Sequence, residues 1–283
     1  MMKTLDFHSP LTLDRRERAA RIAAYGSFLE QRDGEPDAAW TSLRRRSEAM
    51  RRLSVSTVHF RGAVDADLFR EQYLRYSPSR ATPDEMLLVL SFVKLNQNEA
   101  YAVGVVDRAG TAKTDLDRRV LLQETYHTRI LLSAAGLFGL AVPGPLEPPW
   151  ALRPIIHLLA HLPRAAMHVV ALANEIIGLV LFTRLLESTR RVMRDQPELR
   201  DALEERVVEV LIDEVGHTSF NRLLSSDCAM AWLPRLLQLF VMGYRQFYPE
   251  LARVSGKDLS VADVMSISLA HVRESVRRRA FVE

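Results

Sequence analysis

A single cysteine, Cys228, stands in 283 residues. No disulfide can close within the chain, and no cysteine-only metal site can be built; the composition fits a reducing, cytoplasmic setting. Charge of one sign is also lacking: 38 Lys+Arg against 35 Asp+Glu leave +3, too little for nucleic-acid binding by charge excess. The runs at 44–46 and 277–279, all arginine, read as solvated helix faces. Uninterrupted apolar runs of about 18 residues are missing. The two most apolar stretches, 169–182 and 229–244, are broken by Glu175 and Arg235. The opening MMKTLDFHSP has no apolar segment behind its lysine and does not read as a signal peptide. The expectation is a soluble cytoplasmic protein with no membrane and no nucleic-acid partner.

Glycine (12) and proline (13) are sparse, and neither a Gly-rich phosphate loop nor a nucleophile elbow occurs. Strand signals are nearly absent: residues 54–60 (SVSTVHF) form the one short β-branched stretch. Helix signals fill the gap. Thr82-Pro83-Asp84-Glu85 reads as a capping box opening a helix to Asp107, with Gly110 as its stop. Thr114 and Asp117 open a second helix to about Phe138. A Pro/Gly-rich linker at 143–149 and a short apolar segment at 152–162 precede a long helix over 164–194. Gln196-Pro197 starts another to Leu224; 232–247 reads as helical, and Ser260 with Asp263 starts a last helix into the basic tail. Four long helices with shorter flanking ones predict an all-α, ferritin-like four-helix bundle. One domain is expected over 1–283: a helical extension at 1–80, a metal-binding bundle at 81–225 and C-terminal helices at 226–283.

The informative residues are acids on faces that should be apolar. Glu99 shares its helical face with Phe92, Leu95, Ala102, Val103 and Val106; Glu175 with Ala171, Leu172, Gly178, Leu179 and Phe182. Glu124 lies among Val120, Leu121 and Leu131, and Glu214 among Val207, Val210 and Leu211. A buried carboxylate costs several kcal/mol unless compensated, and these faces carry no basic partners. Two of the acids have a histidine three residues on, Glu124 with His127 and Glu214 with His217. At that spacing both side chains leave one face and can share a metal. The order Glu, Glu-x-x-His, Glu, Glu-x-x-His is that of carboxylate-bridged di-iron or di-manganese bundles. Four carboxylates carry −4, which two divalent ions balance. Glu124 and Glu214 are the expected bridging ligands, since each belongs to a helix that also supplies a histidine.

Four segments, NQNEAYAVGV, QETYHTRILL, ANEIIGLVLF and IDEVGHTSFN, resemble the p-aminobenzoate N-oxygenase family of ferritin-like di-iron proteins, over about residues 80–225. The resemblance implies Glu99, Glu124, His127, Glu175, Glu214 and His217 as metal ligands. It also implies reduction of O2 at a di-iron centre and oxidation of an amine to hydroxylamine or nitro products, commonly in natural-product metabolism. An external electron donor and a small-molecule substrate follow from that chemistry. In one respect the chain departs: the family has a further histidine ligand four residues before the last bridging Glu, and here Val210 stands there. A more open coordination sphere keeps C–H hydroxylation or desaturation as the alternative. A ferritin-like metal storage protein is the competitor from another class, and a mixed Mn/Fe pair suits the same ligands.

Around this set, His168 lies two turns before Glu175 and reads as pocket-lining or as a stand-in for the missing ligand. Asp213, next to Glu214, can orient an imidazole or lie on the helix surface. His157 and His161 have metal-like spacing without an acid. Tyr101 and Tyr126 flank ligands and read first as packing, and Cys228 lacks a paired base. Arg129, Arg184 and Arg222 are the cations that could approach the bundle. The apolar helix at 232–247 predicts a homodimer, built on that helix or on the N-terminal extension.

Overall fold

The computed structural model describes residues 7–9, 11–56, 58–110, 112–144, 148, 150 and 152–282. Thirteen α-helices are seen among them. Three precede the bundle: α1 (Arg15–Asp33), α2 (Pro36–Ser56) and α3 (Ala66–Leu74). Next come α4 (Asp84–Ala109), α5 (Asp115–Leu137), the short α6 (Arg153–Leu159), α7 (Arg164–Val192) and α8 (Pro197–Leu224). The rest are α9 (Asp227–Met230), α10 (Leu233–Phe247), α11 (Pro249–Ser255), α12 (Val261–Ser266) and α13 (Glu274–Arg277). No strand forms among the described residues. Residues 54–56 of the β-branched stretch end α2 instead, and beyond it the Phe60 amide donates to the Leu137 carbonyl at 2.8 Å.

The four long helices close a square. α4 packs on α5 and α7 on α8 as two helical hairpins, and the hairpins meet through α5–α8 and α4–α7. Local chemistry sets the helix starts. Thr114 Oγ1 accepts from the Asp117 amide at 3.1 Å while Asp117 Oδ2 accepts from the Thr114 amide at 3.0 Å, a reciprocal cap. Asp117 also accepts from Arg164 Nη2 at 2.6 Å, tying the start of α5 to that of α7. The cap expected at Thr82 does not form. Its hydroxyl donates to the Arg80 carbonyl at 3.2 Å, and Pro83 precedes the first turn of α4 with no side-chain cap. Gly110 ends α4 in the left-handed region at φ 58°, where glycine avoids the Cβ clash. The basic tail is not one helix, because α12 ends at Ser266 and a 3-10 turn (Leu269–His271) separates it from α13. Most of the 143–149 linker lies outside the described residues.

α8 is buried along most of its length because α1, α5, α7 and α13 surround it. Arg206 is the clamp. Fully buried, it donates to Ser133 Oγ at 2.8 Å, to the Ala202 carbonyl at 2.6 Å and to the Met50 carbonyl at 2.8 Å, joining α8 to α5 and α2. Residues 166–192 of α7 are long and apolar enough to span a membrane by composition, but 72% of their most apolar 18-residue window is buried inside the fold. The apolar surface of α7 is bundle core, and Glu175 lies within it.

Candidate metal centre

One carboxylate or carboxylate–histidine pair from each long helix reaches the same interior point. Glu99 (α4), Glu124 and His127 (α5), Glu175 (α7), and Glu214 and His217 (α8) are all buried. They form two overlapping groups: Glu99, Glu124, His127 and Glu214, and then Glu124, Glu175, Glu214 and His217. Within each group one ligand atom per residue lies within 4.8 Å of the others. Glu124 and Glu214 belong to both. Gly178 makes room for this on α7: a Cβ there would stand 3.2 Å from Glu214 Oε2.

Both imidazoles turn Nδ1 inward. His127 Nδ1 is 3.5 Å from Glu124 Oε2 and 3.4 Å from Glu214 Oε1; His217 Nδ1 is 2.6 Å from Glu124 Oε1. None of these contacts has hydrogen-bond alignment, so both Nδ1 atoms, both Glu124 oxygens and Glu214 Oε1 are buried without a partner. Their outer nitrogens are fixed. His127 Nε2 lies 3.0 Å from Asp213 Oδ2 and His217 Nε2 lies 2.9 Å from Gln123 Oε1. A carboxylate only accepts, so Asp213 requires the proton on His127 Nε2. Gln123 Nε2 donates to Asp33 Oδ2 at 2.8 Å, which turns its carbonyl oxygen to His217 and requires the proton there too. Each neutral imidazole therefore presents its Nδ1 lone pair to the centre.

The electrostatics describe a donor set short of positive charge. Burial, then Glu124, pushes Glu99 well above the usual carboxylate range; burial, then Glu214 and Glu124, does the same to Glu175. Glu214 is pushed up to about 7, mainly by burial. Burial acts on Glu124 in the same sense, but without a metal the imidazoles of His217 and His127, in their protonated form, hold it well below. Both imidazoles are raised against the opposing effect of burial, His127 by Asp213 and the Glu pair, His217 by Glu124 and Glu175. Orphaned oxygen and nitrogen donors converging in a buried, anion-rich space fit a cation. This site could hold metal.

An outer layer of residues was mostly not foreseen. Asp213 Oδ1 is ion-paired with Arg32 of α1, and Asp33 with Arg46 of α2. Glu209 Oε2 sits 3.7 Å from Arg32 and 3.5 Å from Arg46, and its other oxygen meets Arg279. Tyr25 of α1 packs against Gly216, where a Cβ would meet its ring at 3.2 Å. On the other flank Tyr244 of α10 donates to Asn174 Oδ1 at 3.2 Å, beside Glu175. Burial and then Glu99 raise its phenol well above the usual range. Among those the sequence had not already singled out, Gln123 alone left a signal there: it precedes Glu124 as Asp213 precedes Glu214.

The remaining sequence candidates fall elsewhere. Asp213 orients an imidazole, though of the neighbouring α5 rather than of its own helix. His168 is in neither ligand group; its Nδ1 pairs with Asn221 Oδ1 at 3.0 Å and its ring meets the edge of Phe220. Val210 is fully buried in the apolar core and supplies no donor. His157 and His161 are exposed, with His161 Nδ1 bonded to the His157 carbonyl. Tyr126 packs under Arg46, its hydroxyl 4.0 Å from Met50 Sδ. Burial pushes the Tyr101 phenol up to about 12. Cys228 is exposed. Arg129 stacks over Trp40, Arg184 binds Asp263, and Arg222 donates to the Ser9 carbonyl.

Comparison with protein-family models, with curated proteins and with solved structures finds no match to this chain.

Proposed function

We propose that the centre holds two metal ions, iron in the working protein, and that the chain is an oxygen-activating non-haem oxygenase with a ferritin-like bundle. The observation that carries this is the sharing of Glu124 and Glu214 by two otherwise separate ligand groups. Two ions bridged by the shared pair would each have one further glutamate and one histidine: Glu99 with His127, and Glu175 with His217. Two ferrous ions would supply the electrons with which O2 is reduced. The chain's own contribution is positional. Asp213 and Gln123 keep both imidazoles in the donor tautomer. Burial of every ligand excludes water from the reacting space.

Substrate would approach along α4, where Asn98, Tyr101 and Ala102 are half-buried while the histidine side is fully closed. N-oxygenation of an amine is the reading that the family resemblance favours. Val210, with no donor at the family's seventh ligand position, favours C–H hydroxylation or desaturation as the second. The storage reading is disfavoured by the helices added around the bundle, since α1 and α2 pack on α8 and α5 and α10 packs on α7, more than a storage bundle needs. We place the protein in the cytoplasm with an external electron donor. We also propose a homodimer through α10, whose Leu239 and Met242 are exposed beside Trp232. Iron-loaded protein should consume O2 in step with turnover of a candidate amine or alkyl substrate and hold about two irons per chain. Hundreds of irons per particle without turnover would support storage instead.

A further inference from the structure

The two imidazoles are held by unlike groups. Asp213, which faces His127 Nε2, is a carboxylate ion-paired with Arg32; Gln123, which faces His217 Nε2, is a neutral carboxamide. The chain behind His217 does reach a carboxylate, Asp33, but one side chain further out, and Arg46 neutralises it there. Glu209 lies near both Arg32 and Arg46 and so does not distinguish the two sides. The inner donors are matched: each ligand group has one private glutamate, one histidine and the same shared pair. Among the groups that touch the ligands' own donor chains, the plain difference between the positions is the one behind the imidazole.

We infer that the two metal positions are inequivalent, and that Asp213 makes the His127 position the tighter. The inference rests on the two-ion reading. A hydrogen bond to an ionised acceptor is about twice as strong as one to a neutral acceptor. It draws the Nε2 proton outward and raises the electron density at Nδ1, the atom that would meet the metal. Through Gln123 that effect reaches His217 only as the weaker pull of a carbonyl dipole. Changes in such outer partners commonly alter metal affinity by about 10–100-fold, so a tenfold or larger gap is expected between the positions. Asp213 and Gln123 are positioning residues here, because they act on the metal only through the imidazoles.

The test uses the full chain, freed of metal and titrated anaerobically with Co(II), whose visible absorption reports binding directly. Single-histidine variants measure each position without repulsion between two bound ions. His217→Ala, which keeps the His127 position, should bind its Co(II) at least about tenfold more tightly than His127→Ala. Adding Asp213→Asn to His217→Ala should weaken that binding by about 10–100-fold. Adding the pair Asp33→Asn and Gln123→Glu to His127→Ala moves the carboxylate onto His217 with no change in net charge, and should tighten binding by a similar factor. Equal or reversed affinities in the two single-histidine variants would overturn the inference, as would a carboxylate swap without effect. If Asp213→Asn does not fold, the swap decides alone. Wild type that takes up only one Co(II), or none, would instead overturn the two-ion reading beneath it.

Discussion

Glu124 and Glu214 occupy positions that no metal-free core would favour. Each belongs to both ligand groups, and each has oxygen atoms with no hydrogen-bond partner. Without cations such a cluster is destabilising, and with them it is a source of stability. Glu214→Gln keeps the shape and removes one charge. It should melt higher than wild type when metal-free and lower when metal-loaded, a crossing visible in paired thermal scans. A variant that is less stable under both conditions would mean that Glu214 serves packing alone. Glu99 belongs to one group only. After anaerobic ferrous loading Glu99→Gln should retain about one ion, and Glu214→Gln should retain fewer than Glu99→Gln by metal analysis; equal retention would contradict the shared-ligand geometry.

At the scale of elements, helix ends show where local chemistry carries the fold. Ser260 caps α12, its hydroxyl donating to Asp263 Oδ2 at 2.6 Å, while Arg184 of α7 and Lys257 pair with the same carboxylate. Burial opposes its charge, yet Lys257, Ser260 and Arg184 hold Asp263 down to about 2 from an ordinary 3.8. A depressed folded value means that the stabilisation is present at neutral pH and is lost as the pH falls from about 4 toward 2. Asp263→Asn should cost about 1 kcal/mol near pH 7 and become indistinguishable from wild type near pH 2 in thermal melts; a constant difference across that window would exclude the linkage. The capping box at Ser260, like that at Thr114, was legible in the sequence because its partners are three residues apart. So were the long helices and the six Glu and His side chains that cluster between them, which follow from periodicity and spacing. The outer layer was not. Arg32 lies 181 residues from Asp213 and Asp33 lies 90 from Gln123, while Arg46 joins through Asp33, 13 residues away, and nothing periodic marks them. Asp213 alone of this layer was a sequence candidate, for orienting an imidazole or for the helix surface; Glu209, one turn earlier, meets Arg32 and Arg46 of α1 and α2. At Thr82 the misreading was local, since a capping sequence was present but its hydroxyl found the Arg80 carbonyl instead.

Taken whole, the molecule wraps a four-helix square with helices that serve the centre from both flanks. α1 and α2 supply the ions behind the imidazoles, and α10 supplies Tyr244 on the Glu175 side. The outward face of α10 exposes Leu239 and Met242, a surface that a second copy would bury. Wild type should scatter light as a dimer at micromolar concentration and Leu239→Glu/Met242→Glu as a monomer with unchanged metal content; a monomeric wild type would exclude the dimer. The central claim, two ions bridged by Glu124 and Glu214, is most directly tested by X-ray absorption at the iron edge of the anaerobically loaded protein. A metal–metal distance of about 3.5–4 Å is the expected result. First-coordination oxygen and nitrogen scattering with no iron neighbour, in protein holding about two irons per chain, would contradict it.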